Sequence, residues 1–206
     1  MGEKALKVIK NIVFDYGQVL IKYSPRDIIA HFSDRPEAAE YAEEIFASPE
    51  WWRMDAGELD GEGYIKTLRG RIPDSLIPDA AEAVRSWFRV VPPVEGMKEL
   101  MHELKLRGYG LYLLSNVTRD LEGHMRELDL FRDLDGWVLS GTERTVKPGE
   151  RIYRRLAEKY RLSPSECFFT DDREENVAAA LRLGWSGTVF KGCDALRRTM
   201  ADAGII

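Results

Sequence analysis

Short apolar runs that break off at polar residues constrain this 206-residue chain more than any other feature. β-like runs occupy residues 9–14, 110–115, 136–140, 166–170 and 186–190. Helical patterns lie between the later ones, over 94–107, 118–128, 149–160 and 173–183. Strands alternating with helices predict an α/β fold, a parallel sheet with helices on both faces. The strings "IVF", "LYLL", "WVL" and "CFF" are almost continuously apolar. Strands covered on both faces read this way.

One region breaks the alternation. Between Ile21 and Val91 there is no convincing strand, only helical segments at 26–32, 36–47, 61–68 and 78–89, punctuated by Pro and Gly. A crossover of about 70 residues far exceeds the usual connection length. A small all-helical insertion over 22–90 is expected, with the main domain split into 1–21 and 91–206. "VVPPVEG", residues 90–96, reads as its stiff hinge.

Composition narrows the partners. A net charge of −5 gives no reason to expect nucleic acid or an anionic membrane. The densest basic cluster, Arg151, Arg154, Arg155 and Lys159, falls at helical spacing among Glu150 and Glu158, as on a solvated helix face. His31, His102 and His124 are scattered without metal-ligand spacing. Cys167 reads as a small core residue, and Cys193 lies near a loop. Two cysteines without a CxxC suit a reducing compartment. No stretch approaches the roughly 20 apolar residues of a membrane span. The N-terminus carries lysines but no apolar h-region before Asp15, and "MGEKAL" lacks the Ser or Thr of a myristoylation site. A cytoplasmic protein is expected; oligomeric state is not legible.

Open parallel sheets bind ligands at the carboxyl ends of their strands. Asp15 follows "IVF", Ser115 and Asn116 follow "LYLL", Lys147-Pro148 comes shortly after "WVLS", and Asp171-Asp172 follow "CFFT". In a parallel sheet all of these share one rim. Each has an ordinary explanation alone, as a turn residue, a helix cap or a solvated lysine. Together they bring three carboxylates near one another. At ~4 Å and an effective dielectric near 20, each pair repels by about 4 kcal/mol. A hard dication relieves this, and all-oxygen ligation suits Mg²⁺ with a substrate phosphate. Ser115, Asn116 and Lys147 supply donors and positive charge for the phosphate. Asp15 can then act as a nucleophile on phosphorus.

The ordered strings "FDYGQVL", "LLSN", "VKP" and "FFTDDREENVAAA" resemble the motifs of the haloacid dehalogenase-like (HAD) hydrolases. The helical insertion resembles the small cap that many members carry after the first motif. "WWRMDAGELDGEGY" is similar to a cap stretch of the subgroup containing bacterial sugar-phosphate phosphatases of the glucose-1-phosphate type. The resemblance implies a Rossmann-like core with a helical cap, and Mg²⁺-dependent hydrolysis of a small phosphorylated metabolite, with sugar phosphates as the subgroup's substrates. By position it implies Asp15 as nucleophile and metal ligand, and Gly17 as a ligand through its carbonyl. Ser115 and Asn116 would bind the phosphate and Lys147 would hold it. Asp172 would be the main acidic ligand, Asp171 the supporting one, and Asn176 a brace for the acidic loop.

Gly17 departs from the usual family pattern, where an Asp two residues after the nucleophile protonates the leaving alcohol. General acid help is worth ~10²–10⁴ in rate. "FDYGQV" resembles a "DLGNV"-type motif of a phosphatase subgroup that works with Gly there. Tyr16, Gln18, Tyr23, Arg53 and Asp55 are candidates for nearby help. Gly17 equally admits a non-catalytic Mg²⁺ and phosphate-binding regulatory protein. Carbon–halogen cleavage needs no acid, but the pair Asp171-Asp172 would repel an anionic haloacid.

Overall fold

The computed structural model describes residues 8–206, so the reading of residues 1–7 lies outside the described residues. Five strands form one sheet in the order β3-β2-β1-β4-β5. They are β1 (Asn11–Phe14), β2 (Gly110–Ser115), β3 (Gly136–Leu139), β4 (Cys167–Asp171) and β5 (Ser186–Val189). Every neighbouring pair is parallel. β1 is central, and the chain builds outward from it first on one side and then on the other. This is a Rossmann-like sheet, as the strand–helix alternation predicts.

The period of two along the strands sorts the core into two layers. Ile12, Phe14, Leu111 and Leu113 bury on one face with α6 (Met97–Leu106) and α10 (Cys193–Asp202). Val13, Leu114, Val138 and Phe169 bury on the other, against α8 (Glu150–Tyr160) and α9 (Glu174–Arg182). α8 shows why its sequence chose this face: Ile152, Tyr153 and Leu156 are fully buried. Its basic residues turn outward, with Arg154 on Glu150 (2.9 Å) and Arg155 on Glu143 (2.7 Å).

Between β1 and β2 lie α1 (Pro25–Phe32), α2 (Ala42–Phe46), α3 (Pro49–Asp55), α4 (Gly61–Thr67) and α5 (Ile77–Ser86). Among the described residues, 22–89 contribute no strand to the sheet. The two chain crossings lie side by side: Lys22 N–H donates to Pro92 O and Val94 N–H to Leu20 O, both at 2.9 Å. Ile28, Phe46, Trp51 and Trp87 belong to the same apolar cluster as Ile12 and Phe14, so the core of the helical segment is continuous with that of the sheet.

Several local expectations need correction. Residues 118–128 are not one helix but 3₁₀ turns at Arg119–His124 and Asp129–Phe131. The buried pair Leu121 and Met125 supplies a helical spacing, while Gly123 weakens the helix between them. Residues 36–47 split into a 3₁₀ turn (Pro36–Tyr41) and α2. α3 was not expected. Its signals are present: Ser48 Oγ accepts from Trp51 N–H (3.3 Å), and Pro49 opens the first turn. α10 was also missed; Cys193 is its first residue, next to the loop over 190–192. Among the described residues no helix is long and apolar enough to cross a membrane.

Candidate active site

The register of the central strands sets the site. Phe14 pairs with Leu113 on one side and Thr170 on the other. One residue further, Asp15 leaves the sheet level with Asp171, its N–H donating to Thr170 O (3.0 Å). Ser115 ends β2, and its Oγ donates to Asp15 Oδ1 (2.8 Å). Lys147 follows α7 (Ser140–Glu143). Its Nζ donates to Asp15 Oδ1 (2.7 Å) and Asp171 Oδ2 (2.6 Å) and lies 5.5 Å from the Phe169 ring centre. Side-chain exposure is 1% for Lys147, 11% for Asp15 and 0% for Asp171. The opening to solvent is therefore on the Asp15 side.

Asp171 lies one residue further inside β4 than expected. Asn176 Nδ2 donates to both its oxygens (2.9 and 3.1 Å), and Arg173 N–H to Oδ1 (2.9 Å). Asn176 thus braces the acidic pair from the first turn of α9. Asp172 is half-buried beyond it, and one oxygen from each of Asp15, Asp171 and Asp172 falls within 4.8 Å of the others. A crowded all-carboxylate donor set of this kind fits a hard cation such as Mg²⁺.

Asn116 has a task that its sequence position does not announce. Its Nδ2 donates to Lys147 O (3.0 Å), and its Oδ1 accepts from Lys147 N–H (2.8 Å). The side-chain amide therefore clamps the lysine backbone. Gly17 lines the adjacent cavity, and a Cβ built there meets nothing within 4 Å.

Electrostatics set the charge states. Burial, reinforced by the charge of Asp171, lifts the Asp15 carboxyl from an ordinary 3.8 to about 6, against the pull of Lys147 and the Ser115 hydroxyl. Burial alone would push Lys147 down, but the charges of Asp15 and Asp171 outweigh it and its pKa rises. The Asp172 carboxyl is raised by burial and by Asp171. Cation ligands must be deprotonated. Mg²⁺ affinity is thus expected to be nearly constant well above pH 6 and to weaken by up to about tenfold per pH unit as pH falls through 6. Calorimetric titration with MgCl₂ at pH 5 to 8 checks this; a flat profile contradicts it.

A cavity of about 180 Å³ adjoins the carboxylates. It is lined by Tyr16, Tyr23, Phe46, Trp51, Trp52 and Trp87, together with Gly17, Asp55, Ser115 and Asn116. Trp51 is buried, while Trp52 is 52% exposed and forms the outer wall. The Tyr23 hydroxyl donates to Phe46 O (2.9 Å), and the Tyr16 ring packs against Trp87 and Phe131. Gln18 turns aside to Tyr23 O (2.8 Å), and Arg53 turns outward to Glu58 (3.3 Å). Of the candidates for help beside Gly17, Asp55 alone brings a carboxyl group to the cavity.

Haloacid dehalogenase-like hydrolases match residues 9–184. The chain belongs to this family. It is 28% identical over 181 residues to the sesquiterpene phosphatase of Aspergillus oryzae, covering 86% of this chain and 88% of that one. It is 24% identical over 190 residues to D-ribitol-5-phosphate phosphatase of Bacteroides thetaiotaomicron, covering 86% and 90%. Its fold is similar to that of a HAD family enzyme of the same bacterium, in complex with magnesium and inorganic phosphate. There the TM-score is 0.69 and the identity 25%, over 89% of this chain and 95% of that one.

Proposed function

We propose that this HAD hydrolase is a Mg²⁺-dependent phosphatase that moves the phosphoryl group of a small phosphomonoester first to Asp15 and then to water. One observation carries the reading: a nearly enclosed Asp15 held by Ser115 and Lys147, beside Asp171 and Asp172. The phosphatase relatives and the magnesium-and-phosphate complex of a related HAD enzyme support it.

In this reading residues 1–21 and 91–206 are the catalytic core and 22–90 the cap. Asp15, Asp172, Asp171 and the Gly17 carbonyl would hold Mg²⁺. When bound, the ion neutralises the carboxylates and offsets the charge of the phosphate, so that two anions can approach. Ser115 Oγ and the Asn116 main-chain N–H meet the phosphate oxygens, and Lys147 balances the charge that builds between phosphate and Asp15. Asp15 Oδ attacks phosphorus, the bond to the leaving oxygen breaks, and water later releases inorganic phosphate from the aspartyl-phosphate.

The cavity describes the alcohol. Its walls are largely aromatic, no Lys or Arg among the described residues lines it, and the Tyr23 hydroxyl and Asn116 amide are already partnered. Asp55 Oδ1 and Trp87 Nε1 could meet one or two hydroxyls, but the remaining hydroxyls of a polyol would be buried without partners, at about 1–3 kcal/mol each. An apolar cavity of about 150 Å³ accommodates benzene. An aromatic or branched apolar alcohol therefore suits this pocket better than the sugar phosphate implied by the resemblance.

Phosphate release from aryl, prenyl, alkyl and sugar phosphates, with Mg²⁺ and with EDTA, tests both parts. Mg²⁺-dependent release is expected, with kcat/KM for aryl or prenyl esters at least about tenfold above hexose phosphates. Mg²⁺ and phosphate binding without release would make the protein a regulatory binder. Preferred hydrolysis of sugar phosphates would overturn the pocket reading alone.

A further inference from the structure

The proposed reaction needs a proton for the departing alcohol, and Gly17 has no side chain to give one. Asp55, the last residue of α3, lines the same cavity as Gly17. It is 7% exposed, and its Oδ1 is buried without a hydrogen-bond partner. The Thr118 N–H is the one main-chain donor acting on its carboxyl group. Among the described residues no cation pairs with it: its neighbour Arg53 is turned to Glu58.

Its position is fixed from the catalytic side. Ser140 Oγ donates to Asp55 O (2.5 Å) and accepts from Val117 N–H (2.9 Å). Gly57 packs so close to Gly141 that an added Cβ would lie 2.4 Å from its carbonyl oxygen. The end of α3 is thereby tied to the loop that follows Ser115. A solvated surface acid needs no such anchoring, and a purely structural one would have both oxygens paired.

We propose that Asp55 is the general acid of this enzyme, donating its proton to the leaving oxygen in place of the side chain absent at Gly17. This rests on the phosphatase reading above. As Asp15 Oδ bonds to phosphorus, the P–O bond to the alcohol breaks. Its electron pair stays on the alcohol oxygen, which takes the Asp55 proton, and Asp55 becomes a carboxylate. In the second half the Asp55 carboxylate takes a proton from the attacking water. The new P–O bond forms, the aspartyl P–O bond returns its pair to Asp15, and Asp55 is again protonated. Burial first, and the nearby charge of Asp15, raise its pKa well above the ordinary carboxyl value, the direction that favours holding a proton.

The test compares leaving groups. An alkyl alkoxide needs a proton to depart, whereas 4-nitrophenolate does not. Asp55→Asn is expected to lower kcat/KM for an alkyl phosphate by about 10²–10⁴-fold, and for 4-nitrophenyl phosphate by less than about fivefold. Adding Gly17→Asp, for which the structure leaves open space, is expected to restore the alkyl rate at least about tenfold. Activity on 4-nitrophenyl phosphate itself reports that the variant folds; Asp55→Ser serves as a second neutral variant. Equal losses on both substrates, or no selective loss on alkyl esters, overturn the assignment while leaving the phosphatase reading intact. A wild-type enzyme that releases phosphate from neither substrate overturns both.

Discussion

Asp15→Asn abolishes phosphate release and, in the absence of metal, makes the protein more stable. A nucleophile cannot be spared: a rate loss of about 10⁴-fold or more is expected, leaving what binding and electrostatics retain. The gain in stability follows from the charge count. The buried set holds two carboxylates, Asp15 and Asp171, against one ammonium, Lys147, with Asp172 half-buried beside them. Asn at position 15 leaves Lys147 and Asp171 as a balanced pair. The sign comes from linkage. The Asp15 carboxyl titrates at about 6 in the fold against 3.8 ordinarily, so folding favours its protonated form. The folded state has that advantage in full below pH 3.8 and loses it as pH rises through 6. By pH 7 the ionised group costs roughly 3 kcal/mol. For a chain of this size each kcal/mol moves Tm by about 2–4 °C. Thermal melts in EDTA are therefore expected to show the variant several degrees above wild type at pH 8, with the gap closing toward pH 4. Added Mg²⁺ is expected to favour wild type. A lower Tm for the variant at pH 8 in EDTA would contradict this account of the site.

What was legible in the sequence follows a physical division. An apolar run reporting burial on both faces also reports where it stops, so Asp15, Ser115 and Asp171 could be placed on one rim before any pairing was known. Strand order is set by long-range pairing and is invisible in a local pattern. The rim location needed only that the strands be parallel. Asn116 shows the limit. Its type suits a phosphate donor, but its amide is taken by the Lys147 main chain, a contact between residues 31 apart. Asp55 shows a second limit. It could be named as a candidate near Gly17, but only the docking of α3 through Ser140 brings it to the cavity. α3 itself was missed although Ser48-Pro49 marks its start, because "WW" shows no helical alternation around it. Residues 118–128 failed the other way: Leu121 and Met125 mimic a helix stripe that 3₁₀ turns also satisfy.

Lys147→Met is the most disruptive single change expected at the site. Its ammonium is the cation shared by Asp15 and Asp171, all three nearly out of solvent. Methionine keeps the approximate length and apolar character of the lysine stem but removes every donor and the ammonium that lies over the Phe169 ring. Two buried carboxylates then face each other uncompensated, and breaking a buried ion pair from one side typically costs 3–5 kcal/mol. The loss is expected to be greatest at pH 8 and to shrink as pH falls below 6, where Asp15 takes a proton. Wild-type Lys147 behaves oppositely at the alkaline end: its raised pKa means its contribution persists to high pH and is lost only as the ammonium itself deprotonates. The double variant Lys147→Met/Asp15→Asn separates charge from packing. If charge dominates, Asp15→Asn stabilises the Lys147→Met protein by more than it stabilises wild type, a coupling of about 1–3 kcal/mol between contacting residues. Strict additivity in denaturant melts at pH 8 would mean that the lysine acts as a spacer and that the three side chains do not form one electrostatic unit. Phosphate release should stay lost in the double variant, because relief of repulsion restores the fold without returning either the nucleophile or the ammonium.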